Sequence, residues 1–149
     1  IRKKMGQAGL RCSCIRCREY GHRLRDGWAI SEPRLTRLDY ATWGGREILL
    51  SYEDANETLF GLLRLRIDKG KAMVRELHVF GPEVPLGGRL EQAAQHHGLG
   101  ERLLREAEKI ASEEFEADRL SVLSGVGARE YYRLLGYGLE NAYMVRKLG

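Results

Sequence analysis

The 149-residue sequence has no apolar run that approaches the length of a membrane span, and its start lacks the apolar core of a signal peptide. Those two absences make a cytoplasmic protein without membrane contact the expectation. Cysteine is scarce, with three residues in all, and they fall together as Cys12, Cys14 and Cys17. An odd, tightly spaced set in an intracellular setting argues against a disulfide framework. Proline occurs only three times, and two of the three, Pro82 and Pro85, fall in one glycine-interrupted stretch, 81–94. No internal repeat and no low-complexity segment is evident. The first residue is Ile1 rather than methionine, as expected of a fragment of a longer chain.

The length suits one domain, and 43% hydrophobic residues suffice for a core. Lys and Arg number 25 against 21 Asp and Glu, a formal charge of +4 that is unevenly placed. Residues 1–25 hold eight Lys or Arg and a single Glu. Residues 1–27 therefore read as an extended basic arm ahead of a domain over 28–149. Lys3, Lys4, Arg11, Arg16, Arg18, Arg23 and Arg25 suit a polyanion such as RNA, the alternative being a solvated tail. The Cys-x-Cys-x-x-Cys spacing lets Cys12, Cys14 and Cys17 converge as thiolates on one Zn²⁺. A closed tetrahedral site needs a fourth ligand, from His22 or from outside the chain.

Runs of β-forming residues over 35–43, 47–53, 58–67 and 72–80 are separated by turn-forming residues, Gly44-Gly45, Asp54-Ala55-Asn56-Glu57 and Lys69-Gly70-Lys71. This pattern predicts three or four antiparallel strands joined by hairpins. The stretch 81–94 is too broken for a regular element. Leu99, Leu103, Leu104, Ala107, Ile110 and Ala111 then recur at helical spacing, with Glu101, Arg105, Glu108 and Ser112 on the opposite face, which predicts a helix over 99–115. A buried strand at 120–123, a short helix over 128–135 ending at Gly136, and a final strand over 137–148 complete the order.

Gln95-His96-His97-Gly98-Leu99-Gly100 stands where the broken loop meets the long helix. A helix start offers unpaired N–H groups and the positive end of the helix dipole, and glycine lets a phosphate approach the backbone. The stretch is thus a candidate anion cradle, unless Gly98 and Gly100 only turn the chain.

The order of Glu76-Leu77-His78-Val79, the Gln-x-x-Gly-x-Gly of 95–100, a long helix, a strand and Tyr132-x-x-x-Gly136-Tyr137 resembles the GNAT superfamily of N-acetyltransferases. A closer resemblance, carried by Arg75 to Gly81, Gln95-His96, Ser124-Gly125-Val126-Gly127, Tyr131-Tyr132-Arg133 and the upstream Cys14 to Glu19, is to the Elongator catalytic subunit and tRNA uridine acetyltransferase family. The resemblance implies an α/β GNAT fold, with a mostly antiparallel mixed sheet flanked by helices and a basic cysteine-containing arm. It implies that acetyl-CoA is bound as substrate. Glu76, Leu77, His78 and Val79 would hold the pantetheine arm, with Tyr132 beside it, and Gln95, His96, His97, Gly98, Leu99, Gly100 and Glu101 the pyrophosphate. Tyr132 would protonate the leaving thiolate, a task suited to a phenol that is neutral at physiological pH. One of Tyr131 and Tyr132 is expected to be a core aromatic instead. Glu76 and His78, on one face of a strand, are candidates for a base or a water-positioning group.

The family's reaction is a carboxymethyl-type modification of the tRNA wobble uridine, and it uses a radical S-adenosylmethionine domain with an iron–sulfur cluster. That domain is not in this sequence, so the expectation here is tRNA-dependent cleavage of the acetyl-CoA thioester. Two other readings stay open: a GNAT protein-lysine acetyltransferase, and a tRNA-binding module that keeps the fold without catalysis.

Overall fold

A computed structural model describes residues 8–9, 11–81 and 98–149. Lys3, Lys4, Gln95, His96 and His97 lie outside the described residues. The element order is α1 (Ile15–Arg18), α2 (Tyr20–Arg25), β1 (Arg34–Thr42), β2 (Gly45–Glu53), β3 (Leu59–Asp68), β4 (Lys71–Val79), α3 (Leu99–Glu113), β5 (Arg119–Val122), a 3₁₀ turn (Val126–Ala128), α4 (Arg129–Leu134), β6 (Gly138–Glu140) and β7 (Tyr143–Lys147). Seven strands form one sheet in the order β1-β2-β3-β4-β5-β7-β6. Every neighbouring pair is antiparallel except β4 and β5. This is the mixed, mostly antiparallel sheet flanked by helices that the family resemblance implies.

The sheet has two chemically different faces. Ile48, Leu50, Leu63, Leu65 and Val74 are buried on the inner face, where α3 lays Leu99, Leu103, Leu104, Ala107, Ile110 and Ala111 against them. At about 25 cal/mol per Å² of apolar surface, each such side chain contributes roughly 1.5–3 kcal/mol, so this seam holds the layers together. The outer face alternates Glu47 and Leu49 on β2 with Leu62, Arg64 and Arg66 on β3. Its charged groups pair with one another across the strands.

Three expectations need correction. Glu108 belongs to the buried side of α3: Tyr137 Oη donates to its Oε1 at 2.7 Å, and Arg105 and Arg146 stand on the same carboxylate at 3.1 and 3.6 Å. The final strand is a hairpin, because Asn141 takes a left-handed φ of 55° and turns β6 back along β7. The basic arm is not extended from Ile15 onward. It forms α1 and α2, and Tyr20 enters the core with its ring 5.0 Å from Phe60. Glu19 bridges to Leu59, Arg18 Nε donates to Glu57 O at 2.9 Å, and Arg11 Nη2 donates to Asn56 O at 3.1 Å. An amphipathic signal of ten residues is too short to be legible as periodicity, which is why these helices escape it.

Candidate active site

The parallel pairing of β4 with β5 stops at Val74 and Val122. A bulge places Arg75 as an extra residue in β4 between the pairs Arg64–Glu76 and Leu65–Val74. Such a bulge bends the strand, so β4 continues to Val79 while β5 ends, and the sheet splits. Along 75–79 the β5-facing edge of β4 has no ladder partner among the described residues. An unpaired edge of this kind offers its N–H and C=O groups to an extended, amide-containing ligand.

Two cavities open at the split, one on each face. On the inner face, a space of about 420 Å³ is lined by Leu77, Val79, Gly98, Leu99, Gly100, Glu101, Ala128, Tyr131 and Tyr132. The outer-face space, about 440 Å³, is lined by Arg64, Arg75, Glu76, His78, Ser124, Gly125 and their neighbours, and it shares Leu77, Ala128 and Tyr132 with the first. Tyr132 therefore stands in the wall between them. Its ring is 6% exposed and is held edge-on by Tyr131 and Tyr137, with centroids at 5.3 and 5.8 Å. Burial and then the neighbouring Tyr131 push its pKa above the ordinary tyrosine value of 10. The phenol is held neutral.

The turn into α3 has the features of a cradle. Gly98 is its N-cap with a φ of 84°, a conformation that costs other L residues roughly 1–2 kcal/mol. At Gly100 a Cβ would stand 2.7 Å from Tyr131 Oη and 3.3 Å from Val79 Cγ2. Only hydrogen fits there without displacement. Glu101 in the first turn would oppose an anion, but its carboxylate accepts from Arg105 at 3.3 Å.

Glu76 and His78 share the outer face, as the strand alternation predicts. Glu76 Oε2 pairs with Arg64 at 2.8 Å, and His78 Nε2 lies 3.3 Å from Glu76 Oε1. His78 also stacks on Phe80. Sequence reasoning missed Tyr131, Arg64 and Ser124. The sequence leaves open which of Tyr131 and Tyr132 is the core aromatic; Tyr132 is the buried one, whereas Tyr131 is 40% exposed and caps the glycine turn. Ser124 Oγ is buried in the split with no hydrogen-bond partner among the described residues. Its position two residues past the end of β5, just ahead of Gly125, is the signal that would have found it.

The cysteine sulfurs of Cys12, Cys14 and Cys17 lie within 4.8 Å of one another and can hold a metal ion. The Cys17 backbone N–H, then the Cys12 and Cys17 thiols, lower the Cys14 thiol to about 7. His22 is not in that group: its Nδ1 bonds Arg25 Nη2 at 2.8 Å, and its Nε2 faces Glu19 at 3.9 Å. Arg23 is 2% exposed, donates from Nε to Cys17 O at 2.9 Å and packs 4.1 Å over Trp28. A guanidinium buried this way is a structural clamp, so the expectation that it contacts RNA phosphate is corrected. Arg18 is tied to Glu53, whereas Arg11, Arg16 and Arg25 remain exposed.

The acetyltransferase (GNAT) family model matches residues 16–137, a span that takes in the sheet split, the glycine turn opening α3 and Tyr132. The chain belongs to that family. It is 52% identical over 99% of its length to a tRNA uridine(34) acetyltransferase of Dehalococcoides mccartyi, covering 35% of that protein. Identity to the human Elongator complex protein 3 is 42%, over 97% of this chain and 29% of the relative. The archaeal Methanocaldococcus infernus Elp3 with an N-terminal deletion superposes with a TM-score of 0.84 at 45% identity, over 97% of this chain and 37% of that one. This GNAT domain thus spans about a third of the length of the relatives it matches.

Proposed function

We propose that this GNAT domain binds acetyl-CoA across the split sheet and cleaves its thioester when tRNA is present, serving a carboxymethyl-type modification of the wobble uridine. The observation that carries this reading is the wall shared by the two cavities: Leu77 and Tyr132 face both. The pyrophosphate sits at Gly98, Leu99, Gly100 and Glu101 through backbone N–H groups, and the pantetheine arm adds to the free edge of β4 at 76–79. That path brings the thioester carbonyl to the wall.

On the outer side the acceptor enters between Glu76, His78 and Ser124. Glu76, fixed by Arg64, and His78 orient the attacking group or a water. Attack of the water on the carbonyl carbon forms the new carbon–oxygen bond, its proton passing to Glu76 or His78, and breaks the carbon–sulfur bond, while Tyr132 Oη donates its proton to the departing thiolate. Gln95, His96 and His97 complete the pyrophosphate site in this reading, and Lys3, Lys4, Arg11, Arg16 and Arg25 meet tRNA phosphates. The carbon–carbon bond to uridine is left to a radical S-adenosylmethionine domain bearing an iron–sulfur cluster, acting as partner in a longer protein. Zn²⁺ on Cys12, Cys14 and Cys17 fixes the segment that leads into the domain.

The test is release of free thiol from acetyl-CoA by the chain, recorded alone, with tRNA and with a lysine peptide. Release that rises only with tRNA is the expected result. Acetylation of the peptide amine with tRNA irrelevant would make the chain a protein-lysine acetyltransferase. Failure to bind acetyl-CoA would leave a tRNA-binding module on a GNAT scaffold.

A further inference from the structure

The far end of the sheet from the split carries an exposed aromatic and a set of preorganised cations. Trp43, at the tip of the β1–β2 hairpin, is 98% exposed. A tryptophan left wholly in water at a hairpin tip has no packing role in this fold. The β3–β4 hairpin ends at the same edge, because β2 and β3 pair Arg46 with Ile67 and β1 turns into β2 at Thr42 and Gly45. Arg66 joins the two hairpins: its Nη1 donates to Thr42 Oγ1 at 2.6 Å and its Nη2 to Trp43 O at 2.7 Å.

Beside them lies a cavity of about 360 Å³ lined by Arg66, Asp68, Lys69, Lys71, Met73 and Arg75. Glu47, 4% exposed, sits beneath its arginines: Arg75 Nη1 donates to Oε1 at 2.7 Å, Arg66 Nη1 stands at 3.6 Å and Arg64 Nε at 3.8 Å. Burial would raise the Glu47 pKa, but Arg75 and Tyr40 bonding to the carboxylate lower it overall. One anion therefore holds three guanidinium groups in fixed places; Arg75, with 48% of its side chain exposed, is the most open of them, while Arg66 is also held by Thr42 and Trp43 O. Arg75 lines both this cavity and the outer cavity of the split. A continuous basic track runs from Trp43 to the acceptor side of the active site.

Resting on the tRNA reading above, we infer that this track binds an unpaired RNA segment, with a base stacked on Trp43 and successive phosphates on Lys69, Lys71, Arg66 and Arg75. Phosphate is the anion that suits a row of guanidinium and ammonium groups, and an exposed indole face is the sequence-tolerant platform for a base. Single-stranded RNA supplies both at once; a helical RNA hides its base faces. Among the described residues lining the cavity, Asp68 supplies a carboxylate that opposes a phosphate, and it faces Arg66 at 3.6 Å.

The test is the affinity of the chain for a fluorescently labelled anticodon stem-loop RNA, read by anisotropy at several salt concentrations. Trp43→Ala weakens binding roughly 5- to 100-fold, and Trp43→Phe restores most of the loss. Lys69→Glu with Lys71→Glu weakens binding and flattens the salt dependence by about one unit of log–log slope for each phosphate no longer neutralised. Thiol release from acetyl-CoA without RNA is unchanged in these variants, and their thermal melting confirms folding. Unchanged RNA affinity in both variants overturns the inference, as does a wild-type chain that does not bind the RNA. Loss of association with a second protein, with RNA affinity intact, also overturns it and makes the patch a protein interface. RNA-stimulated thiol release with unaltered variant affinity leaves the functional reading standing while the track falls. Weakened RNA binding in the variants of a chain that never cleaves acetyl-CoA does the reverse.

Discussion

The phenol of Tyr131 lies over the backbone of Gly100, so that a Cβ at Gly100 would stand 2.7 Å from the Tyr131 oxygen and 3.3 Å from Val79 Cγ2. The glycine turn and the tyrosine pair therefore behave as one unit. Gly100→Ala must push Tyr131 and Val79 aside at the mouth of the inner cavity. Acetyl-CoA affinity, measured by calorimetry, is expected to fall at least about 10-fold, which corresponds to about 1.4 kcal/mol. Gly98→Ala acts differently, through its φ of 84°, and is expected to cost roughly 1–2 kcal/mol of stability in urea unfolding. Equal acetyl-CoA affinity in Gly100→Ala and the wild type would remove the turn from the binding site.

Tyr137 donates to Glu108 at 2.7 Å inside the protein, and burial, followed by that hydrogen bond, drives its pKa far above the ordinary tyrosine value of 10. The unfolded chain loses this proton near pH 10 and the folded chain does not. Stability from the pair is thus full below pH 10 and declines as pH rises above it. Tyr137→Phe leaves Glu108 without its phenol donor and is expected to cost roughly 1–3 kcal/mol at pH 7. The deficit should narrow above pH 10. Parallel alkaline unfolding curves for the two proteins would contradict this assignment.

With the sulfurs of Cys12, Cys14 and Cys17 grouped within 4.8 Å, one equivalent of zinc per chain is expected on elemental analysis. Cys14→Ser is expected to abolish it and to lower the melting temperature, since α1 and the cysteine segment ahead of it are tied to the β2–β3 turn through Arg18 and Arg11. A metal-free chain with the wild-type melting temperature after chelation would show that the cluster is three thiols only.

The fold was legible wherever periodicity was long. Four hairpin-linked strands and the helix carrying Leu99 to Ala111 follow directly from alternation and 3.6-residue spacing. The resemblance to a family supplied what periodicity does not: that the strand ending at Val79 and the turn at Gly98 belong to one site. Illegible parts share a physical reason, because each depends on a long-range partner. Arg23 looks like any other cation of a basic arm until Trp28 and the Cys17 carbonyl enclose it. Glu108 reads as a solvent-facing residue until Tyr137 arrives from 29 positions away. Tyr131 and Tyr132 are adjacent in sequence, yet only the fold assigns one to the mouth of the inner cavity and the other to the wall between the two.

The pH profile of thiol release bears on the role of Tyr132. In the proposed role its protonated form is the one required, and burial, then Tyr131, raises its pKa, so the phenol stays protonated through neutral and mildly alkaline pH. No alkaline limb is expected below pH 10. A limb near pH 8 would point to a different proton donor.

The most direct measurement is tRNA-stimulated cleavage of acetyl-CoA by Tyr132→Phe, set beside its acetyl-CoA affinity. The ring stays in the wall between the cavities and only the proton is lost. Affinity within about 2-fold of the wild type, with cleavage lowered roughly 100-fold or more, is the predicted result. Cleavage at the wild-type rate would contradict the account, because the group placed between donor and acceptor would then have no part in the chemistry.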